Sequence, residues 1–187
     1  RPGLPGGGAC CRYSRAPGGG AVWPPHATVP AKVLVFFATG HPNPDNWGES
    51  RKGANAYTDA IVALHAKDGT LAWWYQEVPH DLWDYDGVNE VILADLTIGG
   101  KATKALIHAD KHGFFYAVDR THGQSLQAKE VARQTWGQAI HAESGLPTVN
   151  PASIPRPATT PGLPGRAGAP AAHRRAPYWD ARTCRQI

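Results

Sequence analysis

Two aspartates alternate with aromatic residues in the segment Trp83-Asp-Tyr-Asp86. A carboxylate can accept a proton as a general base, and two neighbouring carboxylates can bind a hard cation through their oxygens. Asp84 is therefore a candidate base, and Asp84 and Asp86 together are candidate metal ligands. The same pattern is also typical of aspartates that face solvent in a turn, so the segment alone leaves both interpretations open.

Short apolar segments bounded by Gly, Asp and Asn must position these aspartates. The segments are rich in Val, Ile, Phe, Tyr and Trp, which favours strands, and no stretch keeps a helical period over three turns. The short connections predict antiparallel pairing and an all-β fold. The predicted strands are Lys32–Ala38, Ala60–His65, Leu71–Gln76, Glu90–Leu96, Lys104–Ala109 and Phe114–Val118.

One strand and its turn recur along the chain. The segment from Ala60 to Gly69 aligns with the segment from Phe114 to Gly123, and both Ala63 and Gly69 recur 54 residues later. A period near 50 with about four short strands is typical of one blade of a β-propeller. A chance similarity between two hairpins is the alternative.

Composition divides the chain into three zones. Residues 1–20 are rich in Gly, Pro and Arg and carry no strand pattern, whereas residues 21–150 alternate apolar segments with polar turns. Residues 151–187 contain seven Pro, three Gly and six Arg. They have too little apolar surface to offset the entropy of ordering, so we predict a tail that is disordered or translated out of frame.

The net charge of +4 is unevenly distributed. Residues 21–150 hold 10 basic and 14 acidic residues, so the basic excess lies in the two ends and predicts no nucleic-acid partner. Three cysteines, two of them adjacent, fit neither a zinc site nor a disulfide framework. With no Met, no leader pattern and no apolar run of membrane-span length, we expect an internal piece of a longer protein.

Several motifs together resemble the pyrroloquinoline quinone (PQQ) dependent alcohol dehydrogenases of the methanol and ethanol type, which are eight-bladed quinoprotein propellers. The repeat is similar to their tryptophan-docking motif, with Trp73 as the tryptophan that packs between blades. The segment Pro79–Asn89 resembles the family segment that carries the catalytic aspartate in Trp-Asp-Tyr. Three more segments fit in order and spacing, beginning at Gly18, Thr39 and His108.

The resemblance implies two to three propeller blades within residues 21–150 and a role for each candidate residue. Asp84 would be the general base and a metal ligand, and Asp86 would add the carboxylate that is typical of the lanthanide-dependent branch. Lys111 would face the quinone oxygens, and Trp23 would form the floor under the quinone ring. Taken alone, Lys111 is more typical of an exposed hairpin lysine, and Trp23 is more typical of a core residue.

His41 departs from the family pattern, which has an Asn ligand to the metal at this position. An imidazole nitrogen is a poor ligand for the hard Ca²⁺ or lanthanide ion that the resemblance implies beside PQQ. His41 is therefore a metal-ligand candidate by position only, and its side chain argues against the role.

The implied function is that of a fragment of a periplasmic enzyme that oxidises a primary alcohol to an aldehyde by hydride transfer to metal-bound PQQ. A cytochrome c is the expected electron acceptor, and the family allows peripheral association with the membrane. We expect the isolated fragment to be inactive. The alternatives are a non-catalytic β-propeller that serves as a scaffold or binding module, and an inactive relic of such an enzyme.

Overall fold

Antiparallel strands dominate the computed structural model, which describes residues 19–22, 26–29, 34–141 and 143–155. The first sheet has the order β1-β2-β3-β4, the second has the order β5-β6-β7-β8, and β9 and β10 form a separate hairpin. The strands are β1 Ala27–Val29, β2 Leu34–Ala38, β3 Ala60–His65, β4 Leu71–Gln76, β5 Ile92–Ile98, β6 Lys101–Ala109, β7 Phe114–Asp119, β8 Ser125–Glu130, β9 Gly137–Ile140 and β10 Pro147–Val149.

The predicted all-β fold with antiparallel connections is confirmed. Strands β3 and β4 have the predicted bounds, while β5 begins two residues later than predicted and runs on to Ile98. Strands β1, β8, β9 and β10 were not predicted. The sequence of β8, Ser-Leu-Gln-Ala-Lys-Glu, shows why, because an edge strand with mostly exposed side chains lacks the apolar pattern that marks a strand.

The internal repeat corresponds to the same turn in both sheets. In each sheet the third strand leads into the fourth through a turn that contains a glycine with positive φ, Gly69 at 70° and Gly123 at 73°. Each of these glycines donates its N–H to the carbonyl four residues earlier, at 2.8 Å. The β9–β10 hairpin contains a third copy, with Gly145 at φ 70° and the same 2.8 Å bond to the carbonyl of His141. This copy follows too closely after the second to be found from a period near 50.

Trp73 joins the two sheets. Its indole N–H donates to the carbonyl of Arg120 at 3.1 Å, and its ring lies against Gly123, where a Cβ atom would approach within 2.6 Å. Gly123 therefore serves two needs, the left-handed turn and the close approach of the indole. Tyr75 makes the corresponding contact with the third turn, donating its hydroxyl to the carbonyl of Ser144 at 3.2 Å.

The core lies between the two sheets and extends beneath the loop that carries Asp84 and Asp86. An aromatic group at this end packs with ring centroids 5.4–6.0 Å apart, and it consists of Trp83, Tyr85, His112 and Trp136. The Trp136 indole donates to the carbonyl of His112 at 2.7 Å. The aspartate loop therefore packs against this closely packed aromatic group.

The predictions for the two ends fall mostly outside the described residues. Trp23, the segment 1–18 and the tail 156–187 all lie there, so the predicted zones and the Trp23 contact stay predictions. Residues Pro151–Ser153 form a 3-10 helix, and the carbonyl of Ser153 accepts a hydrogen bond from the Trp83 indole at 3.0 Å. No helix in the described part of the chain is long and apolar enough to cross a membrane.

Candidate functional site

The side chain of Asp81 shapes the loop that carries the candidate base. One carboxylate oxygen accepts the backbone N–H of Trp83 and the other accepts that of Tyr85, each at 2.8 Å. Trp83 and Tyr85 are buried in the core at 3% and 4% exposure. The alternate residues Asp84 and Asp86 therefore face away from the core, which explains the alternation of aromatic and acidic residues in the sequence.

Asp84 and Asp86 both adopt left-handed backbone conformations, with φ of 61° and 52°. Aspartate tolerates this region better than most residues, yet it still raises the local energy. Four other non-glycine residues in the neighbouring loops also have positive φ, namely Asn55, Tyr57, Asp59 and His80. Such a concentration of unfavourable conformations is typical of functional sites, because the surrounding structure must hold them in place.

His41 lies among three carboxylates. Its Nδ1 is 3.0 Å from an oxygen of Asp84 and makes a short hydrogen bond with Asp86, while its Nε2 is 2.9 Å from Asp45. The hydrogen bonds with Asp84 and Asp86 raise the pKa of His41 to about 11, against the opposing effect of burial. His41 is therefore a positively charged imidazolium in this arrangement.

Lys111 completes this group at the turn between β6 and β7. Its Nζ donates to the second carboxylate oxygen of Asp86 at 2.7 Å. Although burial alone would raise the pKa of Asp86, the hydrogen bonds from His41 and Lys111 lower it far below its usual value. We call His41, Asp45, Asp84, Asp86 and Lys111 the outer cluster.

The outer cluster brings together four residues that the sequence analysis singled out, His41, Asp84, Asp86 and Lys111. They come from three segments separated by up to 70 positions in the chain. Asp45 was missed, and its spacing of four residues from His41 is the one signal that could have indicated it.

Arg51 holds the loops that carry the outer cluster, and the sequence gives no sign of this role. It is 2% exposed, and its guanidinium donates to the backbone carbonyls of Pro44, Asp45 and Asp81 and to the side chain of Asn55. The bonds to Pro44 and Asp45 are 2.9 and 2.7 Å long. Arg51 thus ties the loop that follows His41 to the loop that begins at Asp81.

A second charged group lies fully buried behind the outer cluster. Glu77 at the end of β4 accepts hydrogen bonds from Nδ1 of His108 at 2.8 and 3.0 Å, and Nε2 of His108 donates to the carbonyl of Asn89 at 3.0 Å. Nε2 of His112 lies 3.5 Å from Asp110 and 3.9 Å from Glu77. We call Glu77, His108, Asp110 and His112 the inner cluster.

Burial and ion pairing set the charges of the inner cluster. Although burial disfavours the charged ring, Glu77 raises the pKa of His108 to about 9. Glu77 is itself buried, yet His108 lowers its pKa below the usual value. Burial raises the pKa of Asp110 to about 6. The inner cluster therefore contains a charged Glu77–His108 pair beside a carboxyl group that is ionised less readily than usual.

Asp110 connects the inner cluster to the outer one. One of its carboxylate oxygens accepts the backbone N–H of Lys111 at 2.6 Å and the side-chain amide of Asn89 at 2.8 Å. This fixes the main chain of Lys111, from which the lysine side chain reaches Asp86. The inner cluster thus supports the geometry of the outer cluster.

The donor set of the outer cluster fits a hard cation in part. Oxygens of Asp84 and Asp86 lie against Nδ1 of His41, and an oxygen of Asp45 lies against Nε2 on the other side of the ring. Carboxylate oxygens are the ligands that Ca²⁺ or a trivalent ion prefers, whereas the His41 ring between them supplies nitrogen. The carboxylates, and not the histidine, are the residues that would hold such an ion.

A cavity lies elsewhere among the described residues. It has a volume of about 600 Å³ and is lined mainly by apolar side chains of the first sheet, among them Phe37, Val62 and Leu64. None of the five residues of the outer cluster lines it. The charged residues of the outer cluster therefore lie outside this cavity.

Comparisons with known proteins agree with the geometry. Residues 9–185 match the family model described as the β-propeller domain of PQQ-linked glucose, ethanol and alcohol dehydrogenases. The quinoprotein alcohol dehydrogenase PedH of Pseudomonas putida is 41% identical over 149 residues, which are 79% of this chain and 24% of that protein. The lanthanide-dependent methanol dehydrogenase of Methylacidiphilum fumariolicum is 39% identical and covers 72% of this chain and 22% of its own.

Solved structures show the same similarity. A europium-containing methanol dehydrogenase superposes with a TM-score of 0.69 at 40% identity, covering 73% of this chain and 24% of its own. The quinohemoprotein alcohol dehydrogenase of Comamonas testosteroni has a TM-score of 0.70 at 35% identity, and the match covers 73% of this chain and 21% of that protein. The chain spans about a quarter of the length of the relatives it matches.

Proposed function

Because the chain belongs to the β-propeller family of PQQ-dependent glucose, ethanol and alcohol dehydrogenases, we propose that it forms part of an enzyme that oxidises a primary alcohol to an aldehyde. One observation carries the proposal. Asp84, Asp86 and Lys111 lie together at the end of the aspartate loop. The side chain of Asp81 holds the loop, and the Asp110 carboxylate holds the backbone N–H of Lys111 through a hydrogen bond.

Asp84 is the general base of the proposed reaction. Oxidation of a carbinol removes a hydride from carbon and a proton from the hydroxyl group, and a carboxylate at the loop end can take that proton. The backbone of Asp84 is held by its buried aromatic neighbours Trp83 and Tyr85, which limits the positions that its carboxylate can take relative to a bound alcohol. Lys111 supplies fixed positive charge that stabilises negative charge developing nearby.

The cofactors in this proposal are PQQ and Ca²⁺ or a lanthanide ion. When bound, PQQ accepts the hydride and the ion polarises a carbonyl group of the cofactor as a Lewis acid. Asp84 and Asp86 would hold the ion through their oxygens, and two adjacent carboxylates favour a trivalent ion over a divalent one. Relatives whose names include lanthanide and europium support this choice.

The experiment that tests the function uses the full-length protein that carries this segment. Dye-linked oxidation of small primary alcohols is measured after loading with PQQ and either Ca²⁺ or La³⁺. Turnover with one of the two metals is expected, and Asp84→Asn should lower kcat by roughly 10²- to 10⁴-fold, the usual range for loss of a general base.

The matched control is Asp95→Asn, at a position 72% exposed and paired only with Arg120 across the sheet surface. It should leave kcat unchanged. An absence of turnover with either metal in a folded, PQQ-loaded protein would favour the alternative, a non-catalytic propeller or an inactive relic. The position of His41 among the carboxylates is the observation that keeps this alternative in view.

Three further parts of the proposal concern the surroundings of the enzyme. We propose a periplasmic location, a cytochrome c as electron acceptor and peripheral association with the membrane. Some relatives are named as dehydrogenase subunits or quinohemoproteins, which supports a multi-component electron transfer chain. Fractionation of the cells that produce the protein, followed by reduction of purified periplasmic cytochromes, tests the three together, and a cytoplasmic protein that reduces none of them would refute this part.

A further inference from the structure

We propose that the His41 side chain occupies the position in the outer cluster that a hard cation would take, and that it must rotate away before such a cation can bind to Asp84 and Asp86. The inference rests on the proposed function, because that function assigns a cation to these carboxylates. It goes further in assigning His41 the role of a competitor of the metal rather than a ligand.

The contacts of the imidazole ring are the first argument. Both ring nitrogens lie against carboxylate oxygens, Nε2 at 2.9 Å from Asp45 and Nδ1 at 3.0 Å from Asp84, with a still closer contact to Asp86. The ring therefore fills the space between Asp45 on one side and Asp84 and Asp86 on the other.

The position of the ring is the second argument. A hard cation binds carboxylate oxygens at roughly 2.3–2.6 Å, so an ion shared by Asp84 and Asp86 would lie close to both of their facing oxygens. Nδ1 of His41 already contacts these two oxygens. The cation and the ring N–H therefore cannot occupy this position at the same time.

The backbone shows which part of His41 can move. Its carbonyl accepts the N–H of Gly20 at 2.8 Å, and the neighbouring Gly40 donates to Ala21 at 2.8 Å. A Cβ atom on Gly19 would meet the backbone of Asn43 at 2.6 Å, so these segments pack without spare room. The main chain is thus fixed, and rotation of the side chain is the available route.

Isothermal titration calorimetry with La³⁺ on the full chain tests the inference. His41→Asn should bind La³⁺ at least about tenfold more tightly than the wild type, a difference that calorimetry resolves easily. His122→Asn makes the same chemical change at a side chain that is 76% exposed and distant from the outer cluster, and it should bind La³⁺ like the wild type. The double variant that carries both Asp84→Asn and His41→Asn should bind La³⁺ no more tightly than the wild type.

Two different failures are distinguishable. If wild type and His41→Asn bind La³⁺ equally tightly and Asp84→Asn weakens both, the carboxylates bind the cation and His41 does not compete, which overturns this inference alone. If neither chain binds La³⁺, the carboxylates form no cation site, which overturns the inference together with the metal assignment of the proposed function.

A second measurement covers the case in which His41→Asn fails to fold. Imidazole ¹⁵N resonances of His41 in the wild-type chain are recorded before and after addition of saturating La³⁺. The expected result is a change away from the shifts of a ring that is hydrogen-bonded at both nitrogens. Unchanged His41 resonances in a chain that has bound La³⁺ would overturn the inference.

Discussion

The outer and inner clusters are built from the same residue types but differ in their exposure to water. Each combines histidine with carboxylates over distances of about 3 Å. The side chains of the inner cluster are fully buried, whereas Asp84 and Asp45 of the outer cluster are 23% and 47% exposed. The two clusters therefore differ in how far water reaches their charged side chains.

This difference assigns different tasks to the two clusters. A buried ion pair cannot lose one partner without leaving an uncompensated charge in a medium of low polarity, so the inner cluster has one stable arrangement. Charges at the surface can exchange one partner for another or for water at small cost. The inner cluster thus fixes geometry, and the outer cluster is able to bind and react.

The largest effect is expected from Glu77→Ala. The change leaves the buried His108 without its counter-ion, and the loss of one partner of a buried pair typically costs about 3–5 kcal/mol. Urea denaturation followed by tryptophan fluorescence measures the free energy of unfolding. Asp95→Ala, which breaks the exposed pair with Arg120, serves as the control and should cost less than about 1 kcal/mol. Equal costs for the two variants would remove the distinction between the clusters.

The raised pKa values of His108 in the inner cluster and His41 in the outer cluster should both make stability depend on pH. The pKa of His108 is raised to about 9, so its contribution is complete below about pH 6.5 and is lost as the pH rises towards 9. Asp110, with its pKa raised to about 6, has the same sign over a lower range, because the folded state holds the proton more tightly. The contribution of His108 to the free energy of unfolding should fall by on the order of 3 kcal/mol between pH 6 and 9.

Denaturation curves at several pH values check this expectation. The comparison chain is His108→Gln, which keeps a hydrogen-bond donor for Glu77 but cannot titrate. Its stability should vary less between pH 6 and 9 than that of the wild type. An identical pH dependence in both chains would show that His108 is not the group responsible.

Asp81→Asn should have an intermediate effect, on the stability of the chain and on the outer cluster. The amide can accept one of the two backbone N–H groups that the carboxylate accepts now, which leaves a buried donor unsatisfied at a cost of about 1–3 kcal/mol. The loop from Trp83 to Asp86 should also lose its fixed shape, and La³⁺ binding should weaken. Calorimetry and urea denaturation on the same sample measure both quantities, and a destabilised variant with unchanged La³⁺ affinity would contradict the role of Asp81 in positioning Asp84 and Asp86.

The smallest effect is expected from Asp86→Asn in the absence of metal. Asp86 is paired with His41 and Lys111 and its side chain is 16% exposed, so its removal should lower the free energy of unfolding by about 1–2 kcal/mol, between the cost of breaking a surface pair and that of breaking a buried one. The change should shrink further in 0.5 M salt, because exposed charges are screened. A loss as large as that of Glu77→Ala would mean that the outer cluster also holds the fold together.

Parts of the site were accessible to sequence reasoning because they are local. The alternation in Trp83-Asp-Tyr-Asp86 follows directly from the burial of the two aromatic residues, and the turns at Gly69 and Gly123 follow from the need for a left-handed residue. The third turn at Gly145 was missed because its spacing breaks the period. The pairing of Glu77 with His108 was missed because the two residues are 31 positions apart and Glu77 belongs to no motif.

The amino-acid sequence by itself determined the all-β class, the repeated turn, the candidate residues and the family resemblance. These features depend on residue type and short spacing, and local conformational preferences act over such distances. The tertiary structure alone decided which charges meet. Packing of β4 against the second sheet buries Glu77 with His108, and the loops tied by Arg51 bring His41 to Asp84 and Asp86. The energy of a charge depends on its neighbours and on the water that packing excludes, and both are properties of the folded chain.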